Sequence, residues 1–268
     1  MRVTFGSIFR NGLIDINRAY AALAARQREV SSGKKIAVAS DDPAAMVRAM
    51  SEKHEMRILD QYKRTTDSLE SRLTVADTVL SDIIRQITTA QTKAGAARNS
   101  FLTQNQRDAL AGEVRATASA ILTAVSTSYR DMYLFSGGQA TTPPYTAGPP
   151  VSGYQGDSQV QWIDINRGRA VQATFDAGAI LQGSAPADIF QTLETLAVDI
   201  ENGSIAGIDA GLAALAEAFD RVTNAQTNVG LDLARLSDDR LRLDSMHRAA
   251  DQRRSEAEDA NLAEAISG

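Results

Sequence analysis

The chain has 268 residues, of which 43% are hydrophobic and 23% charged, with a formal net charge of −5 and no cysteine. The composition fits a folded protein, and the acidic balance argues against a nucleic-acid binder, which usually carries a basic stripe. Disulfides and thiolate metal sites are excluded, and no run of 18 apolar residues is present to span a membrane. Aromatic residues make up only 5% of a chain rich in Ala, a balance suited to closely packed helices.

The first 20 residues have spaced apolar positions and no small-residue cleavage site, so they do not read as a secretory signal. Phe9, Leu13, Ile16, Tyr20, Leu23, Gln27 and Val30 instead follow one another in steps of 4 and 3. That spacing draws a stripe along an amphipathic helix. Arg10, Asn17, Arg18, Arg26, Arg28 and Glu29 occupy its other face, and Ser31-Ser32-Gly33 ends it, with Gly33 suited to the left-handed position after a helix. Such a helix packs on its own domain, binds a partner helix or lies on a membrane. The lack of Lys on the polar face and of Trp weakens the membrane alternative.

Residues 34–42 form a connector. Asp41, Asp42 and Pro43 read as a helix start: a capping carboxylate, then Pro at the first helical position. This accounts for the paired carboxylates without a catalytic role. From Leu69 the 4,3 spacing runs through Leu73, Ala76, Leu80, Ile83, Ile87, Ala90, Ala94 and Ala97 to Phe101. It predicts one helix from Pro43 of about 58 residues, roughly 85 Å long, with Leu69, Leu73, Leu80, Ile83, Ile87 and Phe101 in the core of a rod.

Thr103-x-x-Gln106 is a capping-box pattern. It predicts a third helix carrying Leu110, Val114, Ile121, Leu122, Val125, Tyr129 and Met132 and ending at Gly137-Gly138. A connection of only Leu102 and Thr103 makes the second and third helices antiparallel neighbours. Five of the six prolines and the only Trp then fall between residues 143 and 186. Alternation at 160–165 and 171–175 around Asn166-Arg167-Gly168 predicts a β-hairpin in a β-rich insert, with Trp162 in its core. Helical spacing resumes with Ile189, Leu193, Leu196 and Ile200, ended by Asn202-Gly203. A last long seam runs from Ile205 to Leu243, with Gly230 a weak spot, and residues 248–259 read as a solvated helix face.

The expected fold is mainly α: an elongated antiparallel helical rod, coiled-coil-like, with a small β-rich insert domain. Its expected parts are residues 1–42 as an amphipathic assembly segment and connector, 43–140 as the first rod helices, 141–186 as the insert, and 187–268 as the second rod helices. No cofactor, metal site or catalytic residue is expected. The two histidines, His54 and His247, stand apart on helices, and no nucleophile, zinc or phosphate-loop motif occurs.

The run Gln27-Arg28-Glu29-Val30-Ser31-Ser32-Gly33-Lys34-Lys35-Ile36, followed by Ala39-Ser40-Asp41-Asp42-Pro43-Ala44-Ala45, resembles the N-terminal signature of the flagellin superfamily. Tyr133-Leu134-Phe135-Ser136-Gly137, Thr141-Thr142-Pro143-Pro144-Tyr145 and Tyr154-Gln155-Gly156-Asp157 are similar to its hook–filament junction members. The stretch Ser255–Ala265 resembles the entry to that family's terminal helix, and the sequence stops where that helix begins.

The resemblance implies a structural subunit, without catalysis, that joins hook to filament as a homo-oligomeric ring. It implies a hook-side junction protein and flagellin as neighbours, an export chaperone, and the flagellar type III apparatus as the way out of the cell, without a cleaved signal peptide. Phe9, Leu13, Ile16, Tyr20, Leu23 and Val30 are the expected subunit contacts. Neither nucleic acid nor membrane insertion is expected. The alternatives are a flagellin filament subunit, a cytoplasmic coiled-coil scaffold, and an enzyme with a pocket around Trp162.

Overall fold

The computed structural model describes residues 5–36, 38, 40–148 and 150–260. Ala39 of the N-terminal signature and residues 261–265 of the stretch beginning at Ser255 lie outside the described residues. In chain order come α1 (Phe5–Ser32), α2 (Pro43–Ala97), α3 (Gln104–Val125), β1 (Ser128–Tyr129), β2 (Met132–Tyr133), β3 (Trp162–Asn166), β4 (Arg169–Gln172), α4 (Ala177–Leu181), α5 (Ile189–Asn202) and α6 (Ile205–Glu258). The fold is mainly α, with two small antiparallel sheets. Two compact units form: Met1–Gln61 with Leu241–Gly268, and Tyr62–Arg240.

In the second unit the 4,3 seam of α2 is the inner face. Leu69, Leu73, Leu80, Ile83 and Ile87 are at most 2% exposed, and Ala76, Ala90, Ala94 and Ala97 continue the same cluster. The Ala positions let neighbouring helices approach closely. Polar contacts set the direction of α6 against α2. Arg240 lies 3.5 Å from Asp67 and 3.4 Å from Glu70, Gln226 Nε2 donates to Asp77 at 3.2 Å, and Arg98 reaches Asp209 at 3.0 Å. As numbers rise along α2 they fall along α6, so the two run antiparallel. A Lys93–Glu113 ion pair links α2 to α3, and Arg115 ties α3 to Glu194 and Glu201 of α5.

Phe101 departs from its expected core place and is 92% exposed. The helix stops at Ala97. The Asn99 side chain then accepts the Phe101 N–H at 3.0 Å, turning the chain off the helix axis. Counting in sevens beyond a helix end assigns a face that no longer exists. The connection to α3 is therefore residues 98–103, and the capping box forms at its far end. Thr103 accepts from Gln106 N while Gln106 Oε1 accepts from Thr103 N at 2.9 Å.

The third helix also ends earlier than its apolar spacing suggests. After Val125 the chain makes a tight hairpin, with Tyr129 opposite Met132. Arg130 and Asp131 at the tip have φ of 51° and 62°. Positive φ at both tip residues is what a two-residue hairpin turn of right-handed strands requires. The seven apolar residues spaced like one helix face are thus split, five on α3 and Tyr129 and Met132 in the hairpin.

The β-rich segment packs around Phe135, Tyr145, Ile165, Phe175, Leu181 and Phe190. Phe135 and Phe175 have ring centroids 5.6 Å apart, and Tyr145 meets Phe190 edge-on at 4.8 Å. Trp162 is not in this core and is 60% exposed. The β3 strand turns Ile165 inward, and alternation then sends Asp164 and Trp162 outward. Arg169 at the start of β4 donates to Asp239 of α6 at 2.8 Å, and Asp239 is only 2% exposed. The short helix α4, capped by Asp176 through the Ala179 N–H, has no counterpart in the sequence reading. α5 is capped by Asp188 and stopped by left-handed Gly203, and α6 continues unbroken through Gly230.

In the first unit Asp42 Oδ1 accepts the Ala45 N–H at 2.9 Å, and Asp41 Oδ2 accepts the Val38 N–H at 3.1 Å. α2 begins directly after them at Pro43. Ala45, Ala49, Leu59, Leu243 and Ala250 are buried, a small set of mostly short side chains. Glu52–Arg253 at 3.0 Å and Asp60–His247 at 3.3 Å again run antiparallel.

Candidate assembly interface

α1 is 28 residues long and carries its apolar stripe uncovered. Phe9 is 66% exposed, Tyr20 69%, Leu23 55% and Ile16 54%, with Leu13 and Val30 above 40% and Ile14 widening the stripe. Each large apolar side chain moved from water into a packed contact is worth about 1.5–3 kcal/mol. Most of the stability of an amphipathic helix in a protein comes from packing its apolar face. Its polar side holds only local pairs, Arg18–Asp15 at 3.8 Å and Arg26–Glu29 at 3.1 Å, which are worth little at such exposure. Stability for α1 must come from whatever covers the stripe.

The end of α1 is held differently. Gly33, at φ 66°, donates to Glu29 O at 2.9 Å and closes the helix. The next residues pair with the end of α6: Lys35 N–H donates to Glu258 O at 2.9 Å, and Ala260 N–H donates to Gly33 O at 3.0 Å. Lys34 Nζ lies 2.6 Å from one oxygen of the Glu258 carboxylate, and Lys53 Nζ lies 2.7 Å from the other. Glu258 is 5% exposed and Ile36 beside it 4%. The hydrogen bonds from Lys34 and Lys53 hold the Glu258 carboxyl below its usual range, against the opposing effect of burial.

Sequence reasoning missed Glu258 because it lies in a charged run that reads as a solvated face. Residues 248, 249, 252, 253 and 256 of that run are exposed, but five others are half-buried, and Ala250 and Glu258 are buried. No local signal marks Glu258, since its lysines come from other elements.

Two of the family-like stretches meet in the second unit. Gly138 N–H donates to Asp157 Oδ1 at 2.6 Å, and the Tyr154 hydroxyl lies 3.2 Å from the carbonyl oxygens of Phe135 and Asp157. Burial pushes the Tyr154 phenol above its ordinary value, with Asp176 adding to the effect. The contact stitches the segment after β2 to the Pro-rich loop. It is a structural joint: the Asp157 carboxylate is occupied by backbone N–H groups of Gly138 and Gln159.

A groove of about 840 Å³ lies between α3, the loop at 147–153 and α5, lined by Arg115, Leu122, Val151, Phe190 and Glu194 among others. Trp162 does not line it. Arg115 is already paired with Glu201 and Glu194, and these hydrogen bonds raise its pKa further. His54 is exposed, and His247 sits at the α2–α6 contact. Among the described residues, no group of three or more His, Cys, Asp or Glu could hold a metal ion. No described helix is long and apolar enough to cross a membrane.

Residues 11–140 match the family described as the bacterial flagellin N-terminal helical region. Flagellar hook-associated protein 3 of Salmonella typhimurium is 24% identical over 205 residues, covering 76% of this chain and 61% of that protein. Its Escherichia coli namesake is 25% identical over 224 residues, covering 80% and 67%. The chain thus spans about three fifths to two thirds of the length of these relatives.

Among solved structures, a putative flagellar hook-associated protein from Vibrio parahaemolyticus superposes with a TM-score of 0.66 at 19% identity, covering 82% of this chain and 97% of that one. FlgL of Bacillus cereus gives 0.67 at 19% identity, covering 76% and 99%. The flagellar junction protein FlgL of Legionella pneumophila gives 0.67 at 13%, covering 79% and 100%. These likenesses establish the fold. Residues 11–140 thus match the flagellin N-terminal helical region, and the chain is similar to flagellar hook-associated protein 3 in sequence and in fold.

Proposed function

We propose that the chain is a structural subunit of the bacterial flagellum that joins hook to filament and acts by assembly, without catalysis. The observation that carries this is the uncovered stripe of α1, Phe9 to Val30, on a helix that touches little of its own chain. A surface of that size is an interaction site waiting for a partner. Packing such a stripe on a different patch of the next subunit makes a head-to-tail contact, and these contacts close into rings or build tubes. The names of the curated relatives supply the location. On this reading copies of the chain form a ring between a hook-side junction protein and flagellin. They reach the outside through the type III apparatus with a chaperone and without a cleaved signal peptide.

Deleting the gene tests the reading. The expected result is hooks without filaments and flagellin released into the medium. Normal filaments on the deletion strain would overturn it.

A further inference from the structure

The described side chains of α1 from Phe9 to Arg28 are all exposed, so α1 is first fixed to other elements at residues 33–36. There, three parts of the chain converge on one carboxylate. Lys34 comes from the connector, Lys53 from the third turn of α2, and Glu258 from the last turn of α6. Lys34 and Glu258 are 224 residues apart in sequence. Backbone hydrogen bonds run both ways across the same point, from Lys35 to Glu258 and from Ala260 to Gly33.

From this geometry we infer that Glu258 is a positioning residue for the assembly helix. Its carboxylate is a latch that fixes the root of α1 only after the far end of α6 has folded against α2. This inference rests on the reading of α1 as the assembly segment. The physical case is the burial of the carboxylate. Its side chain is 6% exposed, whereas those of Lys34 and Lys53 are 44% and 42% exposed. A carboxylate withdrawn from water needs its charge met, and here both oxygens are met by ammonium groups from separate elements. Neither lysine can hold the connector without it, because the two ammoniums would then face each other with no anion between.

The consequence is conditional presentation. Lys34 and Glu258 are 224 residues apart, and Glu258 reaches its lysines where the end of α6 lies against α2, beside the Glu52–Arg253 pair. A chain in which α6 is unfinished has the α1 stripe but no anchored root. Positioned association through α1 is thereby coupled to completion of the fold.

The test uses the full chain with Glu258→Gln, which keeps size and removes the charge. Hydrogen exchange followed by mass spectrometry should show peptides covering 33–36 and 258–260 exchanging at least about tenfold faster, with 69–97 unchanged. Lys34→Gln with Lys53→Gln should do the same, and adding Glu258→Gln to that pair should add nothing. In the deletion strain, the Glu258→Gln chain should restore about tenfold fewer filaments than the parent chain. Unchanged exchange at 33–36 would overturn the latch. Faster exchange with full filament recovery would overturn the positioning role. Full recovery by Leu13→Asp with Leu23→Asp would instead defeat the reading of α1 itself, a result that leaves the exchange data standing.

Discussion

Gly137 is where a single atom decides whether the β-rich segment closes. Its φ is 64°, and a Cβ there would stand 2.0 Å from the Asp157 carbonyl oxygen. Both the left-handed backbone and the close approach exclude a side chain. Gly137→Ala should cost about 2–4 kcal/mol, combining positive-φ strain with displacement of the Asp157 backbone. Denaturant unfolding checks it, and a loss under about 0.5 kcal/mol would show that the joint is slack.

Glu258 sets a second residue-scale expectation. Its carboxyl is held below the ordinary value, so its contribution is complete above the unfolded value of about 4.3. That contribution fades as pH falls through the lower folded value. Exchange at 33–36, corrected for intrinsic rates, should therefore rise only under acidic conditions and stay flat between pH 6 and 8.

At the scale of the element, the α2 seam gives a paired experiment. Ile83 and Phe101 lie on the same 4,3 seam, yet one is 1% exposed and the other 92%. Ile83→Ala should cost about 2–5 kcal/mol by leaving a cavity. Phe101→Ala should change stability by less than about 0.5 kcal/mol. Equal costs would mean that Phe101 packs in solution. For α1, Leu13→Asp with Leu23→Asp should abolish assembly while leaving the circular dichroism of the isolated chain unchanged. Both side chains are exposed, so the folded monomer loses nothing by their replacement. Unfolding of the whole chain would show instead that the stripe is internal.

For the whole molecule, the two units differ in what holds them. The second has one continuous cluster of Leu, Ile, Val and aromatic side chains from Leu69 to Leu236. The first buries a smaller set, Ala45, Ala49 and Ala250 with Ile36, Leu59 and Leu243. Local stability follows buried apolar contact. Hydrogen exchange should rank the 69–97 segment slowest, 45–61 and 241–258 faster, and α1 fastest in dilute solution. Strong protection of α1 in the dilute monomer would contradict its role as an unpartnered segment.

Helix existence and inner faces were legible in the sequence because they depend on local spacing. A 4,3 repeat over Leu69–Ala97 specifies both the helix and its buried side within one segment. The capping box at Thr103, the Asp42–Pro43 start and the Gly203 stop are equally local, each formed within a few residues. Tertiary structure decided what depends on distant partners. It moved Trp162 outward because β3 turns its Ile residues toward a core built by Phe135, Tyr145, Phe175 and Phe190. It moved Tyr129 and Met132 from a helix face to a hairpin. It brought Lys34 and Lys53 to Glu258 across more than 200 residues. Periodicity shows that a face is apolar; only the folded chain shows whether that face is covered, and for α1 it leaves the stripe bare.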